Sequence, residues 1–252
     1  REDDFEPVSH QVDVIQTRNS VPQTYTLMIR LRDKIQSVSK PSVINAELAG
    51  TSKRSAVHYR NAIELSKAGK TSEAIERLNL AVLSDPGFAS GYNELGVQYL
   101  NISELDKAML AFQSALKISP DSFEPTVNLG IAQFRLKQFA DAESALRKAI
   151  TIKADAPIAH FYLGRTLMSL ERYEDAEKEL NLSLMIGKSE MKEAHRMLAM
   201  MYIAMDERQK AVTALETYLG LAPTAPDREH LRLVIEQLKG QTVRPPNIRL
   251  QI

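Results

Sequence analysis

The chain of 252 residues is long enough for one large domain or two ordinary ones, and its 44% apolar and 25% charged residues are average for a soluble globular protein. Lys plus Arg and Asp plus Glu number 32 each. This balance argues against a general nucleic-acid binder and a polybasic membrane anchor, because both need an excess of cationic side chains. There is no cysteine, which excludes disulfides, thiolate metal sites and cysteine nucleophiles but leaves the compartment open. The chain begins with Arg and no signal-peptide core follows, so we expect a processed protein or a fragment.

The first predicted elements are two β-strands. Apolar residues alternate with polar ones over residues 8–14 and again over 25–31, with a turn-like segment at 18–22 between them. A period of two with β-branched and aromatic residues is typical of strands. We therefore predict a β-hairpin within residues 1–36, and a linker over 37–54. An isolated hairpin is marginal in water, so this one is expected to have a partner sheet.

A repeat of 34 residues runs through the middle of the chain. Alanine recurs at this spacing, with one step of 35 before the last, at Ala74, Ala108, Ala142, Ala176 and Ala211. Twelve residues before each alanine lies another small residue: Ala62, Gly96, Gly130, Gly164 and Ala199. Proline closes three of the units, at Pro86, Pro120 and Pro223. Apolar residues at helical spacing between these positions predict pairs of helices, whose backbones approach closely at the small residues.

The pattern resembles the tetratricopeptide repeat, and the second unit carries most of its marker residues in register: Tyr92, Leu95, Gly96, Tyr99, Ala108, Phe112, Ala115 and Pro120. We assign five units, at residues 55–88, 89–122, 123–156, 157–190 and 192–225. The resemblance implies a mainly α fold, a right-handed α-α superhelix of five antiparallel helix pairs. The pairs stack because one pair cannot bury its apolar face alone.

The last unit needs a cover for its apolar face. Residues 226–239 predict a capping helix, with apolar residues on one face at Leu231, Val234, Ile235 and Leu238 and with Gly240 past its end. Residues 240–252 predict an extended tail, because two prolines precede an alternation of apolar and polar residues. The tail is interpreted either as a disordered terminus or as a strand that pairs with another chain.

The N-terminal strands resemble the last two strands of a carboxypeptidase-regulatory-like or PEGA-like β-sandwich. Such domains precede tetratricopeptide arrays in some bacterial envelope proteins. The resemblance therefore implies a bacterial extracytoplasmic location, in the periplasm or envelope, with the cytoplasm as the alternative.

The tetratricopeptide resemblance also implies a binding surface. In such arrays the first helix of each unit lines a concave groove that usually binds peptide. By register this groove contains Tyr59, Ile63, Asn93, Val97, Val127, Ile131, Phe134, Phe161, Arg165, Met168, Arg196 and Met200. We expect an apolar segment with one or two acidic residues as its ligand. The carboxylate clamp that captures chaperone tails in a subset of the family is not expected, because Tyr59, Ile63 and Val97 stand where it needs polar residues.

The sequence carries no familiar motif of catalysis. The chain has no Gly-rich phosphate loop, no G-x-S-x-G and no H-E-x-x-H. His58, His160 and His195 recur at one position of the repeat, which predicts packing roles rather than metal ligation. We therefore expect no enzyme activity, no cofactor and no metal.

The sequence thus predicts a non-catalytic scaffold that binds a peptide segment of a protein partner in the concave groove. The alternative is a structural spacer or self-oligomerisation module of a larger bacterial envelope or secretion complex. A third interpretation is a regulatory part of a larger envelope enzyme or secretion complex, with catalysis elsewhere. Homo-oligomers through the hairpin or the tail are compatible with these interpretations, whereas nucleic-acid binding and direct membrane insertion are not expected.

Overall fold

A computed structural model of the chain describes residues 50–240. This part contains eleven α-helices: α1 Lys53–Lys67, α2 Thr71–Ser84, α3 Ala89–Asn101, α4 Leu105–Ile118, α5 Phe123–Arg135, α6 Phe139–Ile152, α7 Pro157–Ser169, α8 Tyr173–Gly187, α9 Glu193–Ala204, α10 Arg208–Leu221 and α11 Arg228–Gly240. The mainly α fold class predicted from the sequence is confirmed. The predicted hairpin and its sandwich resemblance, most of the predicted linker, and residues 241–252 of the predicted tail lie outside the described residues.

The first ten helices form five pairs, α1–α2 to α9–α10. The helices of a pair pack on each other, and the second helix of each pair packs on the first helix of the next. Successive first helices from α3 to α9 also contact one another, more closely than successive second helices do. The first helices therefore lie on the inner, concave side of the stack and the second helices on the outer side.

Each helix pair is held together by a close approach at its small residue. A methyl group added to Gly130 would lie 2.7 Å from Cγ of Leu146, and one added to Gly164 would lie 2.7 Å from Cγ of Leu180. At Gly96 the neighbour is the Phe112 ring, at 2.5 Å. The facing alanines are completely buried: Ala74, Ala108, Ala142, Ala176 and Ala211. The 34-residue pattern of small residues is therefore the pattern of contact between the two helices of a pair.

The turn inside each pair repeats a left-handed backbone conformation. The residues with positive φ, between 57° and 73°, are Gly69, Ser103, Lys137, Glu171 and Asp206. In each turn the next N–H bonds to a carbonyl five residues earlier, as in Lys70 to Leu65 and Gln138 to Gln133. This is the Schellman arrangement that ends a helix, and glycine is its usual residue because it has no Cβ. Only the first of these five turns uses glycine.

The second helices end where the sequence predicts. α2, α4 and α10 each stop two residues before a proline, which cannot continue a helix. The 35-residue step coincides with a short 3-10 segment at Lys188–Met191, between α8 and α9. Met191 is buried in the core, whereas the other three residues of this segment are exposed.

The two ends of the stack differ. α11 covers the last pair with Leu231, Val234 and Ile235 buried, and the Arg228 guanidinium donates to the Leu219 carbonyl at 2.8 Å. At the other end, the side of α1 that corresponds to the packed side of the later first helices is exposed, with Val57 52% accessible.

Candidate binding groove

The structure separates the twelve predicted groove residues into two sets. Seven are buried between neighbouring helices: Tyr59, Val97, Val127, Ile131, Phe134, Phe161 and Met168. Five are half-buried and reachable from the concave side: Ile63, Asn93, Arg165, Arg196 and Met200. Most of the predicted apolar lining therefore stabilises the contacts between first helices, and the accessible part of the groove is more polar than the sequence indicates.

The N-terminal part of the groove carries an amide pair. The side-chain amide of Asn128 on α5 donates to Oδ1 of Asn93 on α3 at 3.2 Å. Asn93 is half-buried and Asn128 is buried. Asn128 was not among the predicted residues, although it lies one residue after Val127 on the same helix. An Asn side chain has two donors and two acceptor sites, so Asn93 keeps capacity for a main chain laid along the groove.

The centre of the groove is a guanidinium surrounded by aromatic rings. The Cζ atom of Arg165 lies 4.6 Å from the ring centroid of Phe134, 5.3 Å from that of Tyr162 and 5.6 Å from that of Phe161. Phe134 and Tyr162 meet edge to face at 6.0 Å, as do Phe161 and Tyr162 at 5.4 Å. The sequence predicted three of these four residues but missed Tyr162, which is completely buried.

Burial lowers the pKa of Arg165, and the nearby Tyr162 and Glu193 oppose that shift. Within residues 50–240, no carboxylate oxygen lies within 4.0 Å of its guanidinium nitrogens. Its favourable contacts are therefore with the aromatic rings, which attract a cation through their quadrupoles, and with the Tyr162 side chain through a hydrogen bond.

The C-terminal part of the groove is a network of paired charges. The Arg196 guanidinium lies 3.1 Å (nitrogen to oxygen) from the carboxylate of Asp227, just before α11, and 3.9 Å from that of Glu193. The Tyr218 hydroxyl donates to Glu193 at 3.2 Å. Burial raises the pKa of Glu193, and the charge of Arg196 opposes that shift. Arg196 is thus already paired within the chain, a contact the sequence did not reveal because Asp227 belongs to the segment that leads into the covering helix.

Arg135, at the edge of the groove, has a structural role. Its guanidinium donates to the Leu100 carbonyl at 2.8 Å and to the Ser103 hydroxyl at 2.9 Å. It therefore ties the C-terminal turn of α3 to α5, and burial lowers its pKa.

The described residues give no sign of metal chemistry. No group of three or more His, Asp or Glu side chains between residues 50 and 240 could hold a metal ion. His160 packs inside its helix pair, with Nδ1 2.7 Å from Glu179 Oε2 and Nε2 3.0 Å from the Ala154 carbonyl oxygen. None of the helices in this range is long and apolar enough to cross a membrane.

Comparison with known proteins identifies the same repeat. Two family models described as tetratricopeptide repeat match the chain, one over residues 59–123 and one over residues 136–199. The chain is built from tetratricopeptide repeats. Its helix pairs form the α-α superhelix of that repeat, and arrays of this kind act as scaffolds for protein interactions.

Solved structures share this fold. The type IV pilus biogenesis factor PilW is similar over 76% of this chain and 88% of its own, with a TM-score of 0.69 and 23% identity. MamA from Desulfovibrio magneticus RS-1 is similar over 70% of this chain and 99% of its own, with a TM-score of 0.63 and 16% identity. YrrB, described as a TPR protein with an unusual peptide-binding site, is similar over 70% and 90%, with a TM-score of 0.57 and 19% identity. No curated protein matches the chain by sequence. Identities this low establish the fold alone.

Proposed function

We propose that this protein is a non-catalytic scaffold that binds a peptide segment of a protein partner in the concave groove of α3, α5, α7 and α9. The observation that carries the proposal is that Asn93, Arg165 and Met200 are partly accessible on three of the inner helices, α3, α7 and α9. An amide, a cation in an aromatic surround and a flexible thioether can satisfy the main chain, an anionic group and an apolar side chain of one extended segment.

The burial of the remaining groove residues supports the same function. Phe134, Phe161 and Met168 are fixed by packing, so the accessible groups stand on rigid helices. A preformed surface loses less conformational entropy on binding than a mobile one, which favours affinity. The solved structure of YrrB is described as that of a TPR protein with an unusual peptide-binding site, which supports a peptide ligand for this fold.

A selection from a random dodecapeptide library displayed on phage tests the proposal. Selected peptides are then synthesised and titrated against the parent chain, against Met200→Lys in the groove and against Met185→Lys on the outer helix α8. Met185 is 69% exposed, which makes it a matched control for a new positive charge. We expect Met200→Lys to weaken binding about tenfold or more and Met185→Lys to leave it unchanged.

Circular dichroism and urea unfolding of both variants establish that they remain folded. If every selected peptide binds Met200→Lys and the groove variant Asn93→Lys as well as it binds the parent, the groove is not the binding surface. The alternative of a structural spacer or self-oligomerisation module, whose outer or end surfaces make the contacts, then becomes the leading hypothesis.

A further inference from the structure

The concave groove contains two arginines on neighbouring helices with different surroundings. Arg196 has two carboxylates, at 3.1 Å and 3.9 Å, whereas Arg165 has aromatic rings and no carboxylate within 4.0 Å among residues 50–240. A cation removed from water without an opposite charge is unfavourable, and the rings compensate only in part. Of the two, Arg165 is the one whose environment an incoming anion improves.

The geometry of the stack leaves Arg165 able to bind such an anion. A guanidinium has five N–H donors, more than the hydrogen bond with Tyr162 uses, and their fork matches a carboxylate. Phe134 from α5 and Phe161 from α7 hold the group from two helices. The donors are therefore positioned before a ligand arrives.

The neighbours of Arg165 along the groove indicate what surrounds the anion. Asn93 on α3 precedes it and Met200 on α9 follows it, and both are half-buried. Accessible groups on both sides suit a segment that continues past the anion in both directions, which places the carboxylate on an internal side chain and not at a chain terminus.

We propose that Arg165 recognises the side-chain carboxylate of a single internal Asp or Glu in the bound segment, and that Asp227 restricts recognition to one acid by occupying Arg196. This inference rests on the proposed function, since it specifies the ligand of the same groove. Asp227 acts here as a specificity-determining residue. It neutralises a second cation that would otherwise attract a second acid.

The test uses peptides selected from the dodecapeptide library on the parent chain. Peptides that bind Met200→Lys more weakly than the parent are resynthesised with their acidic residue changed to the matching amide. Both forms of each peptide are then titrated by calorimetry against the parent, Arg165→Gln and Asp227→Asn. Arg147→Gln, on the outer helix α6 and 48% exposed, is the control for loss of one positive charge.

We expect the groove-dependent peptides to contain an internal Asp or Glu. Its change to the amide should weaken binding to the parent about tenfold or more, and should have little effect on binding to Arg165→Gln. Asp227→Asn should strengthen the binding of peptides with a second acid, and Arg147→Gln should change nothing.

Three results would contradict the inference in distinguishable ways. Groove-dependent peptides that lack an acid, or that bind Arg165→Gln as well as they bind the parent, would overturn the carboxylate recognition and leave the peptide-binding function intact. If Asp227→Asn leaves the affinity of di-acidic peptides unchanged, the role of Asp227 is overturned. Absence of any groove-dependent peptide would overturn the function and the inference together.

Discussion

The first and fourth helix pairs carry different residues at the same positions of the repeat. These positions form one face of the first helix, which is exposed in the first pair and packed in the fourth. Three positions on the first helix show this, since their side chains point to the preceding pair. In the fourth pair they are Ala159, Leu163 and Thr166, all completely buried. In the first pair they are Val57, Asn61 and Glu64, all exposed.

The difference shows that the burial of a residue in a stack depends on whether a neighbouring helix pair packs on it, and not on its repeat position alone. Where the described residues place no helix on the face, the sequence carries an amide and a carboxylate, which water solvates. Where the third pair packs, the same positions carry small or apolar residues. α1 is thus suited to end the array of helix pairs, and only Val57 leaves apolar surface there.

The largest effect on stability is expected from truncation of Leu163. Leu163→Ala should lower the free energy of unfolding by about 2–5 kcal/mol, because it leaves a cavity between the third and fourth pairs. Asn61→Ala, at the same position of the first pair, should change it by less than about 0.5 kcal/mol. Urea unfolding followed by circular dichroism measures both. Equal losses at the two positions would contradict the comparison.

The next effect concerns the close approach inside a pair. Gly164→Ala should destabilise the protein by about 1–3 kcal/mol, because the added methyl would lie 2.7 Å from Leu180, which is completely buried. Gly220→Ala is the matched control, since nothing lies within 4 Å of its added methyl. That change should stabilise by up to about 1 kcal/mol through helix propensity. Thermal unfolding of the two variants should shift in opposite directions.

A pH dependence should distinguish the fourth pair from the first. Both ring nitrogens of His160 face acceptors, the Glu179 carboxylate and the Ala154 carbonyl, which favours the doubly protonated ring. The hydrogen bond with Glu179 raises the pKa of His160, and burial opposes it. His58 occupies the same position of the first pair, and its Nδ1 has no hydrogen-bond partner in the described structure.

Because the folded-state pKa of His160 is raised, its stabilising contribution is complete below about pH 6.5 and is lost as the pH rises through the folded-state value. The parent should therefore lose stability relative to Glu179→Gln as the pH rises above about 6.5. Urea midpoints at a series of pH values measure this difference. A constant difference between the two proteins over that range would refute the charged bridge.

The smallest effect is expected in the turns. Lys137→Gly should stabilise the protein by up to about 1 kcal/mol, because glycine adopts the left-handed conformation without strain. The greater freedom of glycine in the unfolded chain offsets part of this gain. Gly69→Ala, in the equivalent turn of the first pair, should destabilise by a similar amount. Differential scanning calorimetry resolves both, and a loss at Lys137→Gly would show that its side chain has another role.

The helical fold could be predicted from sequence because the close contact between the two helices of a pair recurs along the chain. Gly130 and Gly164 mark the same contact 34 residues apart, so the spacing of small residues is enough to identify the contact. The left-handed turns could not be predicted in the same way. Lys137 and Glu171 carry no sign of a positive φ, since that conformation is imposed by the two helices they join.

The candidate site was predictable to a lesser degree. Register placed Arg165 with Phe134 and Phe161, and the structure brings these three together. Register could not separate residues that face the groove from those that pack under it, because helices from adjacent pairs decide which is covered. The partner of Arg196 was missed since Asp227 lies outside the repeat, where no periodicity applies.

A fixed spacing of 34 residues has a consequence for how such a molecule changes length. A duplicated copy of the fourth unit, inserted directly before itself, would present Ala159, Leu163 and Thr166 to an outer helix of the kind they already contact. The same copy placed before Lys53 would meet Asn61 and Glu64, whose polar groups would lose water without gaining partners. Gene duplication can therefore lengthen this protein from within, adding one copy of Arg165 with each new unit, but not by extension at its first helix.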